Sequence, residues 1–102
     1  MTTKIGQNQN TGDSSTISTV ALNPTTSTVV IAANERRVFF YFGNNTNKDV
    51  WLKLQTAATD NLKKGIKVLR GSYWEMPMGS TYIGEISAIT DAGNVTIDYT
   101  EF

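Results

Sequence analysis

Between residues 17 and 102 the chain is cut by Pro, Gly and Asn into short runs rich in Val, Ile, Thr and aromatic residues. The runs "ISTVAL" (17–22), "STVVIAA" (27–33), "RVFFYFG" (37–43), "DVWLKL" (49–54), "IKVL" (66–69), "SYWEM" (72–76), "YIGEISAIT" (82–90) and "NVTIDYTEF" (94–102) succeed one another. Between them lie Asn23-Pro24, Asn34-Glu35, "GNNTNK", Arg70-Gly71 and Asp91-Ala92-Gly93. Each run is too short for a globular helix, and none sustains a helical period. Strands at this spacing predict an all-β antiparallel sandwich or barrel of about eight strands. One turn of helix is expected at most, within "TAATDNLKK" (56–64).

The last run is the cleanest. Val95, Ile97 and Tyr99 share one parity and Thr96, Asp98 and Thr100 the other, as a strand with one wet face requires. In "EISAIT" the parity is divided, with Ile86 and Ala88 on one side and Ile83 and Ile89 on the other. The run Val38, Phe39, Phe40, Tyr41 and Phe42 loads both faces of a single strand with large side chains. Pairing it as a hairpin with 50–55 sets Phe42 opposite Val50, Phe40 opposite Leu52 and Val38 opposite Leu54, an apolar face suited to the core. The other face then presents Phe39, Tyr41 and Trp51 with Lys53. Such a patch in water marks a contact surface. A neighbouring loop (56–65 or 71–80), a second subunit or a ligand are its possible covers.

Residues 1–16, "MTTKIGQNQNTGDSST", hold few side chains that a core could use. They are expected to form a flexible polar arm outside a sandwich domain of 17–102, either free or ordered on a partner. The same residues lack the apolar stretch of a secretory signal, and no segment has the length of a membrane helix. The expectation is a soluble protein, with no membrane partner, that stays or assembles in the cytoplasm.

Composition narrows the chemistry. The chain has no Cys and no His, so disulfides, thiolate metal sites and the commonest general base and metal ligand are excluded. Nine basic residues balance nine acidic ones, which makes nucleic acid an improbable partner. Glu75 and Glu85 lie on candidate strands and could be neighbours as a glycosidase's acid pair would be, but solvated edge charges are the plainer account. Asp91, Asn94 and Asp98 are a conceivable cation set, but Asp-Ala-Gly-Asn (91–94) is an ordinary hairpin-turn sequence and the spacing matches no calcium loop. The basic cluster Lys63, Lys64, Lys67 and Arg70 reads as a solvated loop face or a contact for an acidic partner. Arg36 and Arg37 suit ion pairs across a subunit boundary, or guard an aromatic strand against aggregation. No phosphate loop, nucleophile elbow or metalloprotease helix is present. No enzyme is expected, and no cofactor.

The order "AANERRVFFYFGNNTNKDVWLKL", "GIKVLRGSYWEMP" and "TYIGEISAITDAGNVTIDYTEF" resembles small structural proteins of tailed bacteriophages over residues 27–102. The residues that carry the resemblance are Ala33, Asn34, Arg37, Asn44, Gly65, Ile66, Gly71, Glu75, Gly84, Ile86, Ala88, Ile89 and Glu101. Arg70 departs from it, where Pro is usual before the turn glycine. The resemblance implies a jelly-roll-like sandwich and a virion component assembled in the host cytoplasm. It implies a capsid decoration or cement protein that binds the major capsid protein or other virion proteins as a homo-oligomer. A trimer is favoured, with Phe39, Tyr41, Trp51, Arg36 and Arg37 as contact residues. The alternatives are a tail, baseplate or head-fibre domain, or a carbohydrate-binding module in which Tyr73, Trp74 or Trp51 stacks on sugar rings. Single-stranded nucleic-acid binding through aromatics with Lys63, Lys64 and Lys67 is a third.

Overall fold

The computed structural model describes residues 17–56, 60–77, 79 and 81–102. The expected arm, 1–16, lies outside the described residues, as do 57–59 of the expected helical turn; residues 60–64 form no helix. Each β-branched run becomes a strand: β1 (Ser18–Leu22), β2 (Thr28–Ile31), β3 (Phe40–Asn44), β4 (Val50–Lys53), β5 (Ile66–Val68), β6 (Ser72–Glu75), β7 (Ile86–Thr90) and β8 (Val95–Glu101). They form two antiparallel sheets, ordered β1-β8-β3-β6 and β2-β7-β4-β5. The first strand pairs with the last, the second with the seventh, the third with the sixth and the fourth with the fifth. This is one long hairpin folded over on itself, the wiring of a jelly roll.

The expected hairpin between β3 and β4 does not form. Those strands belong to different sheets: β3 lies between β8 and β6, and β4 between β7 and β5. Phe40 and Phe42 do share a buried core with Val50 and Leu52, but across the gap between the sheets. An apolar parity is satisfied equally by a neighbour in the same sheet or by one in the facing sheet, which is why the pattern misleads. The loop that crosses the gap is held by Asn44, which is fully buried. Its amide nitrogen donates to the carbonyls of Lys48 (2.8 Å) and Val68 (3.0 Å). Its Oδ1 accepts from the Thr46 hydroxyl at 2.6 Å. Val38 and Leu54, expected inside, lie beyond the strand ends and are exposed.

Leu22, Val30, Val68, Met76, Ile86, Ala88 and Ile97 complete the core. Val95 and Tyr99 pack against it beside Ile97, the alternation expected of β8. The divided parity of "EISAIT" has a physical resolution. All five residues of β7 are buried, because Ile86 and Ala88 face the core while Ser87 and Ile89 lie on a second face that is also covered. The segment after β4 supplies part of that cover, since the Ser87 hydroxyl donates to the Gln55 carbonyl at 3.1 Å. Gly65 lets the chain return to β5. Its φ is +112°, and a Cβ there would lie 2.6 Å from the Leu52 carbonyl oxygen, so a side chain is barred by space as well as by backbone conformation.

Candidate interaction surface

The five expected contact residues do not converge on one patch. Tyr41 lies on the outer face of the β1-β8-β3-β6 sheet, opposite Thr100 on one side and Glu75 on the other. Trp51 lies on the outer face of the other sheet, opposite Ile89 and Lys67. Phe39 precedes β3, packs against the rim of the core and meets Phe102 with ring centroids 5.9 Å apart. Arg36 is exposed in the turn before β3, its N–H bonded to Asn34 Oδ1 at 3.0 Å.

Arg37 is turned inward. Its Nε donates to Glu101 at 2.7 Å, Nη1 to the carbonyls of Tyr82 (2.7 Å) and Gly84 (2.9 Å), and Nη2 to that of Ala32 (2.8 Å). A planar fork that meets a carboxylate and three separate carbonyls has little left for a partner. Lys53 is likewise buried and not presented beside Phe39. Its Nζ binds Asp60 Oδ1 at 2.8 Å and the Ser27 hydroxyl at 2.9 Å. These bonds pin Asp60 over part of the sheet, so the chain covers some of that face itself.

The Ser27–Lys53 pair has the residue types of a nucleophile and its base, but not the arrangement. Ser27 donates its own proton to the Asp60 carbonyl at 2.8 Å, and Lys53 is salt-bridged to the Asp60 carboxylate. Asp60 is held well below the usual carboxylate range, first by the Lys53 hydrogen bond and then by the Leu62 N–H, with desolvation opposing. This is a latch.

What remains on the first face is aromatic and acidic. Tyr41 and Tyr73 stack with centroids 5.6 Å apart. Tyr41 lies over Gly43, where a Cβ would come within 3.2 Å of its ring. The row beyond Gly43 holds Asp98, whose carboxylate accepts from Asn45 at 3.4 Å. Trp74 pairs with Phe42 on the core side of β6, away from the tyrosine stack. On the second face Lys67 Nζ sits 5.2 Å from the Trp51 ring centroid. Lys67 and Arg70 both approach Asp49, at 3.8 and 3.5 Å. The Asp49 carboxyl is lowered from its ordinary value, chiefly by the Arg70 N–H. The buried Trp51 indole N–H has no hydrogen-bond partner among the described residues.

An apolar cleft of about 350 Å³ opens between Leu54, Trp74, Met76, Pro77, Thr81 and Tyr82. Its two hydroxyls are committed elsewhere, Tyr82 to the Glu85 carbonyl and Thr81 to the Val38 carbonyl. Glu75 is on β6 of one sheet and Glu85 precedes β7 of the other, so the topology does not make them a pair. Among the described residues no three acidic side chains gather where a metal ion could sit.

Asn34, Arg37, Gly84 and Glu101, all in the resemblance pattern, meet at one end of the sandwich. Asn34 N–H donates to the Ile83 carbonyl, and its own carbonyl accepts from Arg37 N–H. Sequence reasoning assigned Arg37 to an interface and missed this internal clamp. The signal was that the same pattern also contains Glu101. Comparison with protein families, curated proteins and solved structures finds no match to this chain.

Proposed function

We propose that the protein is a bacteriophage virion structural protein, a capsid decoration or cement protein that strengthens the head through contacts with capsid subunits and with copies of itself. The observation that supports this reading most is the pair of outer sheet faces. Each carries exposed or half-buried aromatic rings among charges, at opposite sides of one sandwich. Such a body suits a mechanical role between neighbours, which needs contact area and no chemistry. Fold alone does not carry the role, because jelly rolls serve many functions.

The test is co-sedimentation of the full chain with purified mature capsids. Saturable binding, with particles that resist heat better when coated, is expected; no binding at any concentration overturns the proposal. A tail or baseplate position predicts binding to whole virions but not to isolated heads. The exposed Tyr41–Tyr73 stack beside Asp98 favours one second reading, a carbohydrate platform. Specific retention on a glycan array, lost in Tyr73→Ala, would select it.

A further inference from the structure

We infer that copies of this chain associate head to tail, the outer face of the β1-β8-β3-β6 sheet of one copy seating on the outer face of the β2-β7-β4-β5 sheet of the next. The inference rests on the structural-subunit reading and specifies its self-contact. Its ground is a separation of charge that the balanced total conceals. The strands β1, β3, β6 and β8 contain no Lys or Arg, and their outer face carries Glu75 and Asp98 around the tyrosine stack. The strands β2, β4, β5 and β7 contain no Asp or Glu. Their face carries Lys67 over Trp51, flanked by exposed Lys64 and Arg70. Asp49 and Asp60 offset only part of that charge, because Asp60 is shared between Lys53 and Lys64, and Asp49 between Lys67 and Arg70.

Two copies meeting by the same face would set like charges together. Unlike faces attract, which makes the contact heterologous. The two faces look in opposite directions from one sandwich. Repeating the contact therefore approximates a translation, and the product is an open stack instead of a closed ring of three. The trimer suggested by the family resemblance is not what this contact builds.

Size sets the strength. Four strands about 4.8 Å apart and five residues long give a face of at most roughly 20 by 17 Å, less on the second sheet, where Ser87, Ile89 and Lys53 are already covered. That is well short of the roughly 800 Å² per partner of a stable interface. The stack is therefore weak in free solution and strengthened where a lattice holds neighbours in register.

Sedimentation velocity on the full chain, to about 1 mM, tests this without any variant. At low salt the weight-average mass should climb with concentration beyond that of a dimer. At about 0.5 M salt, where exposed charges are screened, it should return to the monomer. Two charge reversals then identify the faces. E75K/D98K and K67E/R70E, each verified as folded by its melting curve, should stay monomeric alone and associate with each other when mixed, because the first then carries two basic faces and the second two acidic ones. A wild type monomeric throughout, association indifferent to salt, or a mixture that fails to recover overturns the inference. Capsid co-sedimentation is read separately. Stacking without capsid binding keeps this contact and removes the cement role, whereas a strictly monomeric capsid binder does the reverse.

Discussion

Arg37 and Lys53 are each only 3 % exposed, yet the sandwich holds them in different ways. Arg37 is bound mostly by main chain, at Ala32, Tyr82 and Gly84, with Glu101 as its one carboxylate. Those carbonyls belong to separate segments whose positions the fold has already set. Lys53 is bound by Ser27 and by Asp60, which lies over the sheet after β4. Asp60 keeps a side chain 21 % exposed and can turn to water if its partner is lost. The difference is between a cation that ties fixed parts of a frame and one that fastens a flap. Main-chain carbonyls fixed by the fold have no second-best arrangement when their donor is lost, whereas a carboxylate at the edge of solvent has.

The largest effect should therefore come from Arg37→Met. It orphans three carbonyls, while Glu101, its side chain 22 % exposed, can turn to water as Asp60 can; the lost carbonyl partners should cost about 3–5 kcal/mol in a urea titration. That is a large share of the roughly 5–15 kcal/mol that domains hold in total. Arg37→Lys keeps the charge but supplies a compact ammonium in place of a planar fork, and should recover less than half of the loss. Full recovery by Lys would break the comparison, because charge and not reach would then be what the site requires.

Lys53→Met should cost less, about 1–3 kcal/mol, since its carboxylate partner can resolvate. Asp60→Asn should be the worse of the two single changes, because it leaves a buried ammonium without its anion. The double variant Lys53→Met/Asp60→Asn should be more stable than the sum of the two losses predicts, and a double-mutant cycle reads that coupling directly. Equal and additive losses would mean that the flap is fastened by something else.

How much of this could be read from the residues divides along the same line. The eight strands were legible because β-branched runs and turn residues are local signals, and the inward parity of Phe40, Phe42, Val50, Leu52 and Ile97 was legible because alternation is local too. The pairing of strands is not local: whether Phe42 has Val50 beside it or across from it depends on where β7 and β8 arrive. Arg37 next to an apolar run looks like a surface residue until Glu101, at the far end of the chain, closes on it. Lys53 occupies the outward parity of β4, and only the return of Asp60 from the next segment buries it. Tyr41 and Trp51 were correctly placed off the core parity of their strands, yet the jelly-roll wiring puts them on opposite sides of the molecule.

Acid should separate the flap from the frame. The Asp60 carboxyl is held far below its ordinary range in the folded chain, foremost by Lys53. A carboxyl of lowered pKa stabilises the fold above its unfolded value of about 3.9. That contribution is lost progressively as pH falls through the folded value. The melting temperature of the wild type should accordingly drop more steeply below about pH 4 than that of Lys53→Met/Asp60→Asn, which has no such pair to protonate. Parallel curves from pH 6 to 2 would sever Asp60 from stability.

The smallest effect should be at Lys67, which completes the series as a cation left in water. Its side chain is 44 % exposed, with Asp49 at 3.8 Å and the Trp51 ring centroid at 5.2 Å. Two partners of opposite character, a carboxylate and a π face, surround it much as carboxylate and hydroxyl surround Lys53. If partner number decided the energy, Lys67→Ala and Lys53→Met would cost alike. If removal from water decides it, Lys67→Ala should cost no more than about 0.5–1 kcal/mol, because an exposed ion pair is weak and an exposed cation–π contact is little stronger. The loss should shrink further as salt is added, while that at Lys53 should hardly change. Tryptophan fluorescence gives an independent reading: removing the ammonium from above Trp51 should shift its emission even where stability barely moves. A Lys67→Ala loss as large as that of Lys53→Met, and equally indifferent to salt, would show that burial is not what sets the scale for the cations of this chain.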